Sequence, residues 1–352
     1  MKTEGIKSNK FKPLLGITMG DPAGIGPEIA VKAFMNKNIY KICRPIVIGD
    51  ASVLKHAVSI LGDNIKVNPV NDIQDAKLKF GTMDVYDLKN VDIDKLELGK
   101  VSLMAGNAAF ESVRTAIELA MRKEIDGTVT GPIHKEAINL AGHHFSGHTE
   151  IYGHFTRTKK YAMMLVEGNM RVIHVTTHVS LRNACDLIKK KRILDVIKLA
   201  DLGCKNLGIK SPRIGVAGLN PHSSDGGLFG WEETKEIIPA IKSARRLGIN
   251  AEGPIPADTL FPKAKGGSYD IVVAMYHDQG HIPLKLMGFN WNEIKNKWDS
   301  VSGVNITVGL PIIRASVDHG TAFDQAGKAT ASEESLLNAI SYAAAYAINN
   351  NK

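Results

Sequence analysis

The chain has 352 residues, 44% apolar and 23% charged, with a net charge of +8 and a pI of about 9.2. Those proportions are globular, leave material for about two domains at ~100–200 residues each, and exclude disordered and fibrous chains. No apolar run reaches the ~18–20 residues that span a bilayer, and the polar start MKTEGIKSNKFKP lacks the apolar stretch of a signal peptide.

In chain order, β-branched runs alternate with segments of helical period. Strands are expected at 14–19, 45–49, 127–130, 162–166, 171–177, 213–217, 270–275 and 304–308. A helix is expected over 105–122, where Phe110, Val113, Ile117 and Met121 share one face, and others over 193–207 and 332–347. Pro239 either kinks or starts a helix within 232–247. This alternation predicts an α/β fold with a mostly parallel sheet. The polar segment 290–303, with Trp291 and Trp298 seven apart, reads as an inserted loop or a short amphipathic helix.

A basic balance favours anionic partners. The one dense run, Lys189-Lys190-Lys191-Arg192, has no aromatic residues interleaved as a base-stacking surface requires, and reads as a solvated helix terminus. Nucleic acid and membrane are therefore not expected as partners. Cys43, Cys185 and Cys204 are scattered, odd in number and form no CxxC, which fits a reduced cytoplasm and thiols used for packing.

The turn Gly20–Glu28 follows the first strand and precedes a helix, and the second strand runs into Asp50, the outline of a dinucleotide fingerprint. The glycines, however, fall as G-x-x-x-G-x-G rather than G-x-G-x-x-G, and Pro27 suits a helix N1 position. Histidine is more informative. His178, His222 and His277 each follow the end of an expected parallel strand, the edge where open α/β sheets place ligands. Three imidazoles with open positions left over suit a catalytic divalent ion, with Asp258 and Asp278 as orienting groups or extra ligands. His174, four residues before His178 on a strand, would stand ~13 Å away at ~3.3 Å per residue, and is read as a core or sheet-face histidine. Lys285 and Arg314 sit inside apolar runs, where a charge needs a partner such as a phosphate or carboxylate.

The stretches MGDPAGIGPE, GPIHKEAINLAGHHFSGHTE, TTHVSLR, GLNPHSSDGG, PADTLF, AMYHDQGHIPLK and GVNITVGLPIIRASVDHGTA span residues 19 to 322. Together they resemble the 4-hydroxythreonine-4-phosphate dehydrogenase family. The resemblance implies two α/β/α domains with a cleft between them, like the isocitrate and isopropylmalate dehydrogenases. The expected division is 1–145 plus 316–352 for one domain and 146–315 for the other, the latter with the metal site and dimer interface. The resemblance also implies a homodimer with shared active sites. It puts the metal on His178, His222 and His277, the last from the other subunit. It puts substrate on His148, Thr149, Lys285, Asn305 and Arg314, with acidic positions at Asp258 and Asp278.

The implied chemistry is oxidation of a 4-phosphorylated 3-hydroxy acid by NAD or NADP with one divalent metal, zinc, magnesium, cobalt or manganese. Lys285, Asp278 or Asp258 would move the proton. The leading substrate is 4-hydroxy-L-threonine 4-phosphate, on the route to pyridoxal phosphate. The alternative is D-threonate or D-erythronate 4-phosphate, giving dihydroxyacetone phosphate, and GHIPLKLMGF looks closer to that branch. A metal-dependent hydrolase or lyase, or a non-catalytic sensor, would use the same histidines without nicotinamide.

Overall fold

The computed structural model describes residues 11–293 and 297–351. They divide into two compact units, one within 160–309 and the other of 11–159 with 310–351. The strands are β1 (Leu14–Thr18), β2 (Arg44–Gly49), β3 (Lys66–Val70), β4 (Thr82–Asp87), β5 (Gly127–Thr130), β6 (Ala162–Glu167) and β7 (Met170–His174). They continue with β8 (Ile214–Ala217), β9 (Ala251–Ile255), β10 (Ile271–Ala274), β11 (Phe289–Asn292), β12 (Lys297–Val301), β13 (Val304–Val308) and β14 (Arg314–Val317).

In the two-segment unit the strand order is β3-β4-β2-β1-β5-β14, and each of these neighbours runs parallel. Strands β1 and β5 are buried at every residue, as parallel strands covered on both faces must be. Leu14, Ile46 and Ile48 pack with Ala116, Leu119 and Ala120 of the helix Leu103–Met121. Ile17 and Val47, equally buried, face the other way by the two-residue period of a strand. Ser102 caps that helix by accepting the Ala105 N–H at 3.1 Å. Its other apolar residues, Phe110, Val113 and Ile117, cluster with Ile138, Ile151 and Tyr152. Met121 does not join them: at the last turn of the helix it is 46% exposed.

In Lys160–Gly309 the order is β13-β6-β7-β10-β8-β9. Strand β6 is antiparallel to both β13 and β7, and the remaining pairs are parallel. The helix Lys190–Asn206 packs on the sheet. Leu260, Phe261 and Ala264 of Ala257–Lys265, and Leu284 of His277–Gly288, meet Val172, Val272 and Ala274 in a second core.

The unit divisions fall at 159/160 and 309/310 rather than at 145/146 and 315/316. The reason is packing. Ile151 and Tyr152 of the helix His148–Phe155 are core residues beside Phe110, and β14 pairs with β5, so His148, Thr149 and Arg314 belong to the two-segment unit. The segment 290–303 also departs from expectation. Strands β11 and β12 form an antiparallel hairpin with Trp291 opposite Trp298, while 294–296 lie outside the described residues. Pro239 starts a helix, in the first turn of Ile238–Arg246 after a π-type turn at Glu233–Ile237.

Candidate active site

The strands β7, β10 and β8 are neighbours and parallel, so His178, His222 and His277 leave the same edge of one sheet. His277 is the first residue of the helix His277–Gly288. Its ring centre lies 5.9 Å from that of His178. Nδ1 of His277 is 2.7 Å from Asp278 Oδ1. A carboxylate there accepts a hydrogen bond from Nδ1–H, which fixes the tautomer and leaves Nε2 as a lone-pair donor.

Behind His277 the imidazoles continue inward. His281, one turn along the helix, stacks on His277 with ring centres 3.6 Å apart and planes within 11°. Nδ1 of His281 donates to the His277 carbonyl at 3.0 Å, the only arrangement a carbonyl permits. His174, the buried last residue of β7, lies 4.7 Å from His281 between ring centres. A Cβ at Gly280 would collide with His174 Nε2 and come within 2.6 Å of Val172 Cγ1, so the helix passes this close only with glycine there. Burial holds His174 down at about 3 and His281 at about 4, with neighbouring imidazoles adding to the effect. The reading of His174 as a sheet-face histidine is met. His281 was missed, although four residues on a helix is the spacing that puts side chains one above another.

His222 stands apart. It lies in Pro221–Gly227, exposed, with a φ of 53°. Among the described residues, no three His, Cys, Asp or Glu side chains of one chain come close enough to hold an ion. The pair His178 and His277 is brought together, and His222 does not join it within the chain. Gln279 ties the two neighbourhoods, accepting from Met275 N at 2.6 Å and donating to the Gly218 carbonyl at 2.8 Å. Asp258 opens the exposed first turn of Ala257–Lys265, a helix packed on the His222 loop. Lys285 shares a face with His277 and His281, its ammonium 4.8 Å from the Phe289 ring centre. Asn305 is half-buried on β13, in register with Leu165. The donor chemistry here, two imidazoles with one Nε2 freed by a carboxylate, suits a divalent ion such as zinc, cobalt or manganese.

The two-segment unit carries the other predicted residues. Arg314, 2% exposed, begins β14, donates to Thr130 Oγ1 at 3.2 Å and lies 5.7 Å from the Tyr152 ring centre. Burial lowers its guanidinium to about 10, still cationic at neutral pH. His148 begins the helix His148–Phe155, followed by Thr149. Its buried Nε2 has no hydrogen-bond partner, and burial with the Arg314 charge holds it well below the ordinary imidazole range. A neutral histidine beside a buried cation is a pair suited to an anion. Tyr152, missed as a site residue, donates to Thr128 Oγ1 at 2.8 Å and is raised to about 12 by burial.

The glycine turn is structural: it is buried, and the N–H groups of Asp21, Gly24 and Ile25 are taken by the carbonyls of Pro132, Asp21 and Thr321. Gly20 has a φ of 77° and lies against Pro132, and Pro27 stands in the first turn of the helix Gly26–Met35, as expected. Asp21 is fully buried, accepts the Ala23 N–H, and is raised to about 6 by burial. Asp50 is a capping residue: its carboxylate accepts from Ser52 N, Val53 N and Val91 N, capping the helix Ala51–Leu61. Arg192 of the basic run turns inward to the carbonyls of Val175 and Tyr161. The three cysteines are unpaired, and among the described residues no helix is long and apolar enough to cross a membrane.

Residues 41–343 match the model of the family described as pyridoxal phosphate biosynthetic protein PdxA. A protein of Oceanobacillus iheyensis is 50% identical over 331 residues, covering 94% of this chain and 96% of its own. The D-threonate 4-phosphate dehydrogenase of Cupriavidus necator is 46% identical, with the same coverage. A crystal structure of a 4-hydroxythreonine-4-phosphate dehydrogenase from Burkholderia phymatum superposes with a TM-score of 0.82 at 44% identity, covering 96% of this chain and 98% of that one.

Proposed function

This chain belongs to the family of the pyridoxal phosphate biosynthetic protein PdxA, and we propose that, as a dehydrogenase of that family, it oxidises D-threonate 4-phosphate. The relative of that name, alike over nearly the whole chain, supports this substrate. A second reading, 4-hydroxy-L-threonine 4-phosphate, has the name of the Burkholderia structure in its favour. The two substrates share a C3 hydroxyl, a carboxylate and a phosphate, and differ at C2.

The observation that supports the site is that His178, His222 and His277 all leave one edge of one sheet, with Nδ1 of His277 engaged by Asp278. In our reading His178 and His222 of one subunit, with His277 of the other, hold a divalent ion, which when bound would lower the pKa of the substrate hydroxyl. A nicotinamide, NAD or NADP, would take the C3 hydride. Arg314 and His148, with Thr149, receive the phosphate, because a buried cation beside neutral and hydroxyl donors fits a dianion. Lys285 takes the hydroxyl proton, since Asp278 is engaged by His277 and Asp258 lies on another helix. The oxidised product is a β-keto acid that loses carbon dioxide to leave dihydroxyacetone phosphate. Asn305 orients the carboxylate end.

A homodimer would complete the site. Two exposed apolar residues, Ile282 at 63% and Leu286 at 82%, stand one turn apart on the helix that starts with His277, and support an interface there.

Absorbance at 340 nm tests the reading, with a divalent metal and NAD+ or NADP+, and the two substrates in separate cuvettes. Metal-dependent reduction with D-threonate 4-phosphate is the expected result. Reduction with 4-hydroxy-L-threonine 4-phosphate alone moves the assignment to the second reading, and no reduction with either overturns both.

A further inference from the structure

The loop that presents His222 is held in a demanding backbone shape. From His222 to Gly226, five successive residues have φ of 53, 52, 72, 42 and 72°. The first four carry side chains, for which this left-handed region is unfavourable. Such a run persists only where its surroundings over-determine it.

The surroundings centre on Glu233, 1% exposed in the turn before Ile238–Arg246. Its Oε1 accepts the N–H groups of Leu219 and Asn220, both at 2.8 Å, and its Oε2 accepts Asn220 Nδ2 at 2.9 Å. Asn220 Nδ2 also reaches Glu232 Oε2 at 2.8 Å. Gly230 makes room for this, because a Cβ there would collide with Asn220 Nδ2 and lie 2.6 Å from Glu232 Oε2. The Ser224 hydroxyl donates to the Gly230 carbonyl and closes the far side of the loop. A buried carboxylate is tolerated only with such donors, and three converge on this one.

We propose that Glu233 is a positioning residue that sets the direction of His222 through the backbone of Leu219 and Asn220. The inference rests on the reading of His222 as a metal ligand. Asn220 precedes Pro221, whose ring fixes the next φ, so the two anchored amides aim the chain as it enters the left-handed run. Loss of the charged acceptor would free those amides and let the loop relax away from the geometry that offers the imidazole.

Cobalt binding by the full-length protein tests this, followed by titration of its visible absorption in wild type, Glu233→Gln, Glu233→Asp and His222→Ala. Amide hydrogen exchange over 219–226 and a thermal melt accompany each. The expected result is about ten- to hundredfold weaker cobalt binding in Glu233→Gln, the range for groups that orient a ligand. Exchange should quicken at 219 and 220, and Glu233→Asp should fall between the two. Wild-type affinity in Glu233→Gln, alongside weakened binding in His222→Ala, overturns the positioning role and leaves the metal site standing. Equal affinity in wild type and His222→Ala removes the metal reading and this inference with it. If Glu233→Gln does not fold, Glu233→Asp decides: unchanged affinity there overturns the role.

Discussion

The ring of His281 lies flat on that of His277, with centres 3.6 Å apart. One of them is a proposed ligand and the other is fixed by the backbone of the first, so His281 limits how His277 turns. His281→Ala should weaken cobalt binding by about tenfold, within the range for such supporting groups. His281→Phe, which keeps a flat ring, should recover part of that loss. Equal affinity in all three proteins would remove the support role.

Acid should destabilise the column of imidazoles. The folded-state value of His174, about 3, lies below its ordinary value near 6.5, so the unfolded chain binds more protons between them. The associated stability is fully present above about 6.5 and is lost as pH falls toward about 3, and His281, at about 4, acts in the same sense. The melting temperature of metal-free protein should fall from about pH 7 to about pH 5. His174→Leu should flatten that slope.

Arg314 offers a planar fork that lysine lacks. Arg314→Lys retains the charge and should raise KM for the phosphorylated substrate about ten- to hundredfold, the scale of one charge-assisted hydrogen bond at ~1.5–3 kcal/mol. The change in kcat should be smaller. A KM that does not move would place the phosphate elsewhere.

Leu286 is the most exposed large apolar residue described, at 82%. Leu286→Asp should disrupt a dimer and bring the mass seen by light scattering down to the 38.1 kDa of one chain. Activity should fall with it. A dimer that survives both Leu286→Asp and Ile282→Asp would put the interface on another face.

Much of this was legible in the residues. β1, β2, β5, β7, β8 and β10 announce themselves because buried parallel strands read as near-continuous apolar runs, and the antiparallel β6 and β13 by short apolar runs of their own. Strands β3 (KVNPV), β4 (TMDVYD), β9 (AEGPI) and β14 (RASV) carry charges, proline or small residues, and their pairing comes from neighbours distant in sequence. The strand-end histidines were visible from local context alone. Glu233 was not, because its partners Leu219 and Asn220 lie 14 and 13 residues away across a loop of unusual φ, which no periodicity encodes. The hairpin at 289–301 was missed because its polar composition, with Trp291 and Trp298 seven apart, also fits a helical stripe.

The ends of Lys160–Gly309 leave side by side, since Ala162 is in register with Val308 on adjacent antiparallel strands. That segment is therefore an insertion into its host, whose sheet waits for β14 and whose outer layer waits for the helix Glu334–Asn350. In synthesis, every strand of the inserted unit is made before β14. The host sheet thus stays open at β5 until β14 and the helix that follows it are made. Chain order and order of completion differ: the unit that holds β1 is finished after the one inserted into it.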